Sequence, residues 1–158
     1  MVGELARLDG DPEAARTALT RAMGLAAQPG GVPQIRAGIA TSLGYLASAE
    51  GDLDAARRWH AEALEVARSA ADSPVIAQTL TGLADLALRE GDPARAAELL
   101  GASFAIRGTT DRSVIDEERV VGEARSVLGD TRYGQAYQRG RRVTVDTLAA
   151  LIDVTPGA

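Results

Sequence analysis

The chain has 158 residues, is 46% hydrophobic but only 3% aromatic, and carries a net charge of −5. That length suits one domain with a substantial core, and an Ala-rich, aromatic-poor interior favours closely approaching helices. The absence of Cys excludes a disulfide scaffold, a thiol nucleophile and Cys-ligated metals; the absence of Lys excludes a phosphate-binding GxxxxGK[ST] loop.

All 17 basic residues are Arg, interspersed with acidic ones rather than gathered into the stripe that phosphate backbones need. Direct nucleic-acid binding is therefore not expected. No apolar run approaches the roughly 18 residues of a membrane span, and the N-terminus lacks the layout of a signal peptide. The expectation is a cytoplasmic chain that does not enter a membrane.

In chain order, the first element is short, occupying Met1 to Asp9 ahead of Gly10-Asp11. "GDPEAARTALTRAMGLA" follows, then the connector "AAQPGGVPQ", in which Gly30-Gly31 lies between Pro29 and Pro33. "IRAGIATSLGYLASAE" places Ile39, Leu43, Leu46 and Ala47 on one face of a helix. "GDLDAARRWHAEALEVA" begins at Gly51 and carries an apolar stripe of Ala56, Trp59, Ala63, Leu64 and Ala67. A third copy, "GDPARAAELLGASFAIR", begins at Gly91, so the Gly-Asp pairs recur after 41 and then 40 residues. Gly terminates one helix because it takes positive φ without strain, and Asp caps the next. Pro12 and Pro93 fall at the first helical position, where the missing N–H costs nothing. Gly-Asp thus reads as the tight turn of a helical hairpin. A lone hairpin cannot bury its apolar faces, whereas stacked hairpins can.

These hairpins resemble the tetratricopeptide repeat. Leu43-Gly44 and Ala47 fit its first helix, and Ala56 and Ala63 the small positions of its second. Leu83-Ala84, Ala87, Ala96 and Ser103 fill the same slots in the third copy; Gly3, Ala6, Ala15 and Ala22 remain in the first. The period departs from the family's 34 residues, and longer helices or longer loops between hairpins would account for it. The resemblance implies an all-α fold, a right-handed superhelix of three to four hairpins over 1–107, the first truncated. Residues 108–158 form a degenerate fourth hairpin and a C-terminal capping helix in the same domain. In that tail one helix presents Val114, Val121, Ala124 and Leu128; Leu128-Gly129-Asp130 echoes the Gly-Asp turn; "TRYGQAYQRG" is a short helix; and Thr144 to Ile152 form the last.

The tail is also similar to the C-terminal end of large actinobacterial ATP-binding transcription regulators of the LuxR and antibiotic-regulatory types. Leu99-Leu100-Gly101-Ala102, Ala124-Arg125, Leu128-Gly129 and Gly140-Arg141 carry this likeness, over residues 80 to 153. It implies a non-catalytic protein-interaction or signal-sensing module from such a regulator, without the DNA- and ATP-binding parts. The alternative is a free-standing scaffold that binds a peptide or protein in its concave groove.

Candidate chemistry is sparse. His60 is the single histidine, and no pattern supplies it with a nucleophile and an orienting acid, so it reads as a packing residue. With one His and no Cys, no metal or other cofactor is expected. Asp116-Glu117-Glu118 diverge around a helix and do not converge on a substrate. Arg139, Arg141 and Arg142 form a basic tip, read as a solvated turn. The resemblance implies that the groove is lined by outward positions of each first helix. Those are Glu4 and Arg7, then Thr41, Tyr45 and Ser48, then Gln78, Thr81, Asp85 and Arg89. Lacking Lys and Asn, this set has no carboxylate clamp for acidic C-terminal peptides. Finally, the short first element leaves Ala15, Leu19 and Ala22 partly uncovered, which implies a homodimer through the N-terminal end.

Overall fold

The computed structural model describes residues 2–108 and 115–152, apart from the side chains of residues 2, 4 and 115. Every regular element among them is helical. The chain forms two compact units, Met1–Val75 and Ile76–Ala158. The first holds α1 (Val2–Leu8), α2 (Pro12–Ala26), α3 (Pro33–Glu50) and α4 (Leu53–Ser69). The second holds α5 (Ser73–Arg89) from Ile76 onward, α6 (Pro93–Arg107), α7 (Ile115–Leu128), α8 (Asp130–Gly140) and α9 (Leu148–Ile152).

The turns follow the local chemistry of Gly-Asp. Gly10, Gly51 and Gly91 take φ of 77°, 83° and 83°, and end α1, α3 and α5. The next residue then works in both directions. The backbone N–H of Asp11, Asp52 and Asp92 donates back to Ala6, Ala47 and Ala87 carbonyls at 2.9, 3.0 and 2.8 Å. The carboxylates accept from the N–H groups of Ala14, Ala55 and Arg95 at 2.9–3.0 Å, capping the helices that follow. The same device ends α4 and caps α5: Asp72 N–H donates to the Ala67 carbonyl at 3.1 Å, and its carboxylate accepts from Val75 N–H at 3.0 Å. Here Ala71 holds the left-handed position, at φ 51°. From Asp52 the turns therefore recur every 20 residues, and the α4–α5 connection is as tight as those within hairpins. The long period accordingly comes from α3, α4 and α5, of 18, 17 and 17 residues, not from a long loop at this junction.

In the first unit Ala15, Leu19, Ile39, Leu43 and Leu46 form the core, with Trp59 and Met23 packed at its edge. Ala15 and Leu19 are buried, which corrects the expectation of an uncovered N-terminal stripe; only Ala22 on that stripe is half-buried. Gly3 explains the difference: lacking a side chain, it lets α1 settle directly onto Leu19. Ala56 and Ala63 are fully buried, and Gly44 receives the His60 ring where any Cβ would collide with it.

In the second unit α6 and α8 cross backbone to backbone. A Cβ on Gly101 would strike the Tyr137 carbonyl, and one on Gly140 would strike the Glu98 carbonyl. Among the described side chains of α7, Val120 and Ala124 are buried; Ala124 is as expected, whereas Val121 and Leu128 are only half-buried and Val120 takes the inner place expected of Val121. Val114 lies outside the described residues. Two further expectations for the tail are corrected. Gly129 takes ψ 159° and is itself the N-cap of α8, while Asp130 lies within the helix, so Leu128-Gly129-Asp130 is not a fourth copy of the turn. The last helix begins at Leu148, because Thr144 and Thr147 bond each other's backbone N–H groups, at 2.9 and 3.3 Å, and hold the preceding residues in a turn. Leu148 is fully buried, and Arg95 donates to the Ile152 carbonyl at 3.1 Å.

Gly101→Ala should therefore destabilise the protein by about 1–3 kcal/mol, because rigid backbone rather than a flexible side chain opposes the new methyl. Gly134, also in α8, faces open space, so Gly134→Ala should stabilise by up to about 1 kcal/mol through helix propensity. Denaturant unfolding of the two variants beside the parent tests this opposition of sign.

Candidate functional site

The nine expected positions divide between the two units. In the first, Thr41, Tyr45 and Ser48 are buried rather than presented to solvent, and α3 is buried continuously from Ile39 to Ser48. The Thr41 hydroxyl donates to the Ala37 carbonyl at 3.0 Å. Arg7 is half-buried and lays its guanidinium over the Tyr45 ring, 5.0 Å from the centroid. Tyr45 in turn meets His60 edge to face, with centroids 5.6 Å apart at 85°. His60 is thus a fully buried packing residue between Gly44 and Tyr45. The side chain of Glu4 lies outside the described residues.

In the second unit Thr81 and Asp85 are buried, Gln78 is half-buried and Arg89 keeps 35% of its side chain exposed. Thr81 lies 3.3 Å from the Ser103 hydroxyl, which donates to the Ala77 carbonyl at 2.8 Å. These small polar groups tie α5 to α6. Asp85 is engaged at both oxygens: Arg89 Nε donates to one at 3.0 Å, and Arg119 Nη2 of α7 to the other at 2.7 Å. Arg119 also meets Glu123 at 3.1 Å. Burial works against the Arg119 charge, but the bonds to Asp85 and Glu123 outweigh it and hold its pKa above the ordinary value. A carboxylate occupied in this way is a fastener between helices rather than a general base.

Sequence reasoning missed Arg119. Its spacing from Asp116 and Glu123 marked it only as one more charge on an acidic helix; nothing local shows that it reaches Asp85, 34 residues away. It also missed an aromatic array. Tyr133 and Tyr137 stack at 5.8 Å and 22°, and Phe104 of α6 approaches Tyr137 at 6.4 Å. Arg125 and Arg141 cover Tyr133 and Phe104, at 4.9 and 4.5 Å. The available signal was the four-residue spacing of the two tyrosines, which puts both on one helix face. Among the described residues no group of three or more His, Asp or Glu is placed to hold a metal ion, and no helix is long and apolar enough to cross a membrane.

The helices carrying this geometry include those of the middle and third hairpins. Residues 36–108 match the tetratricopeptide repeat family. This is the stretch in which the Asp-capped turns follow one another at 20-residue intervals, and it holds five of the seven candidate positions that lie within it in buried packing roles. Tetratricopeptide repeats generally mediate protein–protein interaction. No curated protein and no solved structure matches the chain.

Asp85→Ala should cost about 1–3 kcal/mol, because two half-exposed guanidiniums lose a buried acceptor. Asp85→Asn, which retains an acceptor oxygen, should recover part of that loss, and amide exchange in α7 should rise in the Ala variant. Tyr133 supplies a pH test. Burial pushes its phenol up to about 12 from the usual 10.0, since the anion is poorly solvated there. A group raised in the folded state contributes stability that is complete below its unfolded pKa and is lost as pH climbs to the folded one. Thermal stability should therefore fall between about pH 10 and pH 12, and more gently in Tyr133→Phe.

Proposed function

We propose that the chain is a cytoplasmic, non-catalytic protein-interaction module, belonging to the C-terminal part of a bacterial transcription regulator. The observation that carries the interaction reading is the tetratricopeptide match over residues 36–108. The regulator context is supported by the order of Leu99-Leu100-Gly101-Ala102, Ala124-Arg125, Leu128-Gly129 and Gly140-Arg141. The geometry gives that order a physical use, since Gly101 and Gly140 are the residues that permit the α6–α8 crossing.

Of the expected positions, Arg7, Gln78 and Arg89 retain accessible surface, and these are the ones proposed to touch a partner. The ionisable groups beside them serve packing, as Asp85 and His60 show, which supports recognition rather than chemistry. Affinity capture from the source cell with the intact chain should recover a specific protein. Arg7→Glu combined with Gln78→Glu should abolish that recovery while leaving the helical circular dichroism unchanged. Equal recovery by the variant would overturn these positions, and no recovery by the parent would overturn the interaction reading.

A further inference from the structure

The short helix α8 has two sharply different sides. Tyr133, Ala136 and Gly140 are buried, whereas Arg132, Gln135, Gln138, Arg139 and Arg142 are exposed. Arg132, Gln135, Arg139 and Arg142 follow at intervals of three, four and three. That spacing lines them along one side of the helix and its closing turn, where Arg141 keeps the right-handed helical conformation.

The charge of this face is unlike that of the rest of the chain. Residues 130 to 142 contain four Arg and one Asp, a local charge of +3 in a chain of net −5. In the first unit Arg16 pairs with Glu50, Arg36 with Glu62 and Arg57 with Asp54, while the exposed Arg21, Arg58 and Arg68 are scattered along α2 and α4 rather than gathered on one short helix. On α8, Asp130 is drawn to Arg125 at 3.3 Å, and Arg139 has a loose pairing with Glu98 at 3.6 Å. Among the described residues, neither Arg132 nor Arg142 pairs with a carboxylate.

Helix stability does not account for the pattern. Cations are favourable at a helix C-terminus, which suits Arg139, Arg141 and Arg142, but Arg132 occupies the first turn, where a positive charge opposes the helix dipole. The neighbouring ring system also orders part of the surface. Arg141 places its guanidinium over Phe104, 4.5 Å from the ring centroid, a cation–π contact that holds the side chain beside this face.

We propose that this basic side of α8 docks a carboxylate-rich segment of a partner protein; the inference rests on the reading of the chain as an interaction module. Guanidinium forks match carboxylates in a bidentate manner, and the interleaved Gln135 and Gln138 amides add donors and acceptors for peptide groups. A nucleic acid fits less well. The basic face is about 16 Å long, it is bordered by Glu98 and Asp130, and the whole chain carries 22 acidic residues against 17 basic ones. A long polyanion would run off the face into like charge, whereas a short acidic segment stays within it.

The test titrates the intact chain with a fluorescent Glu–Ala peptide, with a Lys–Ala peptide of the same length, and with a short DNA duplex. The Glu–Ala peptide should bind, increasingly weakly as salt rises, and the Lys–Ala peptide should not. Arg132→Gln/Arg139→Gln/Arg142→Gln should weaken binding by roughly tenfold or more, while Arg16→Gln/Arg57→Gln, which removes paired cations elsewhere, should leave it unchanged. No binding of the Glu–Ala peptide, equal binding by the triple variant, or tighter binding of the duplex that displaces the peptide would each overturn the proposal. A physiological partner captured equally by parent and triple variant would overturn it too, yet leave the interaction-module reading intact. Peptide binding that the triple variant loses, with no partner captured by the parent, would support this face and remove that reading.

Discussion

Each Asp of the repeated turn serves two helices at once. Its N–H closes the helix behind it, on an Ala carbonyl, and its carboxylate opens the helix ahead. Both groups would otherwise be unsatisfied ends, which every helix has. Because one residue discharges both duties, successive helices can be joined by two or three residues, and within each unit the direction of the chain reverses in one tight turn. The antiparallel pairing of α1 with α2, of α3 with α4 and of α5 with α6 depends on that economy of length. The apolar stripes then meet because the turns leave no slack for them to do otherwise.

With direction set by turns, closeness is set by small side chains. Ala56 and Ala63 let α4 lie against α3, and Gly44 makes room for an imidazole. The α6–α8 crossing takes this furthest, with glycine on both helices and carbonyl groups where a methyl would stand. A core of this kind buries modest apolar area per residue, so its cohesion comes from many close contacts rather than from a few large side chains. Some polar groups inside it are tied across helices, as Ser103 and Asp85 are, and others bond back to their own helix, as Thr41 does.

The fold was legible to the extent that its causes were local. Gly-Asp announces a helix end and a cap, and a following Pro at two of the three sites announces the first turn; all three are built as expected. The turn at Ala71-Asp72 escaped notice because alanine occupies the position where glycine is the usual sign. Leu128-Gly129-Asp130 misled for the converse reason: the letters recur and Gly129 also takes positive φ, but its ψ of 159° makes it the N-cap of the next helix, a duty that Asp has at the other turns. The candidate site was harder to read. Thr81 and Asp85 are outward positions only if their helix is viewed alone; Ser103 and Arg119 arrive from distant parts of the chain and enclose them. No pattern within a single helix reports which neighbour will cover it.

The distribution of rings has a consequence for watching this protein unfold. Its sole Trp, Trp59, packs at the edge of the first unit's core, whereas the stacked Tyr133 and Tyr137 belong to the second. Indole emission therefore reports the solvent environment of one unit, and the near-ultraviolet tyrosine bands, once the contribution of Tyr45 is removed by Tyr45→Phe, report the packing of the other. The chain carries a separate optical label for each half without any having been introduced, so cooperativity between the halves is visible as coincidence or divergence of the two signals.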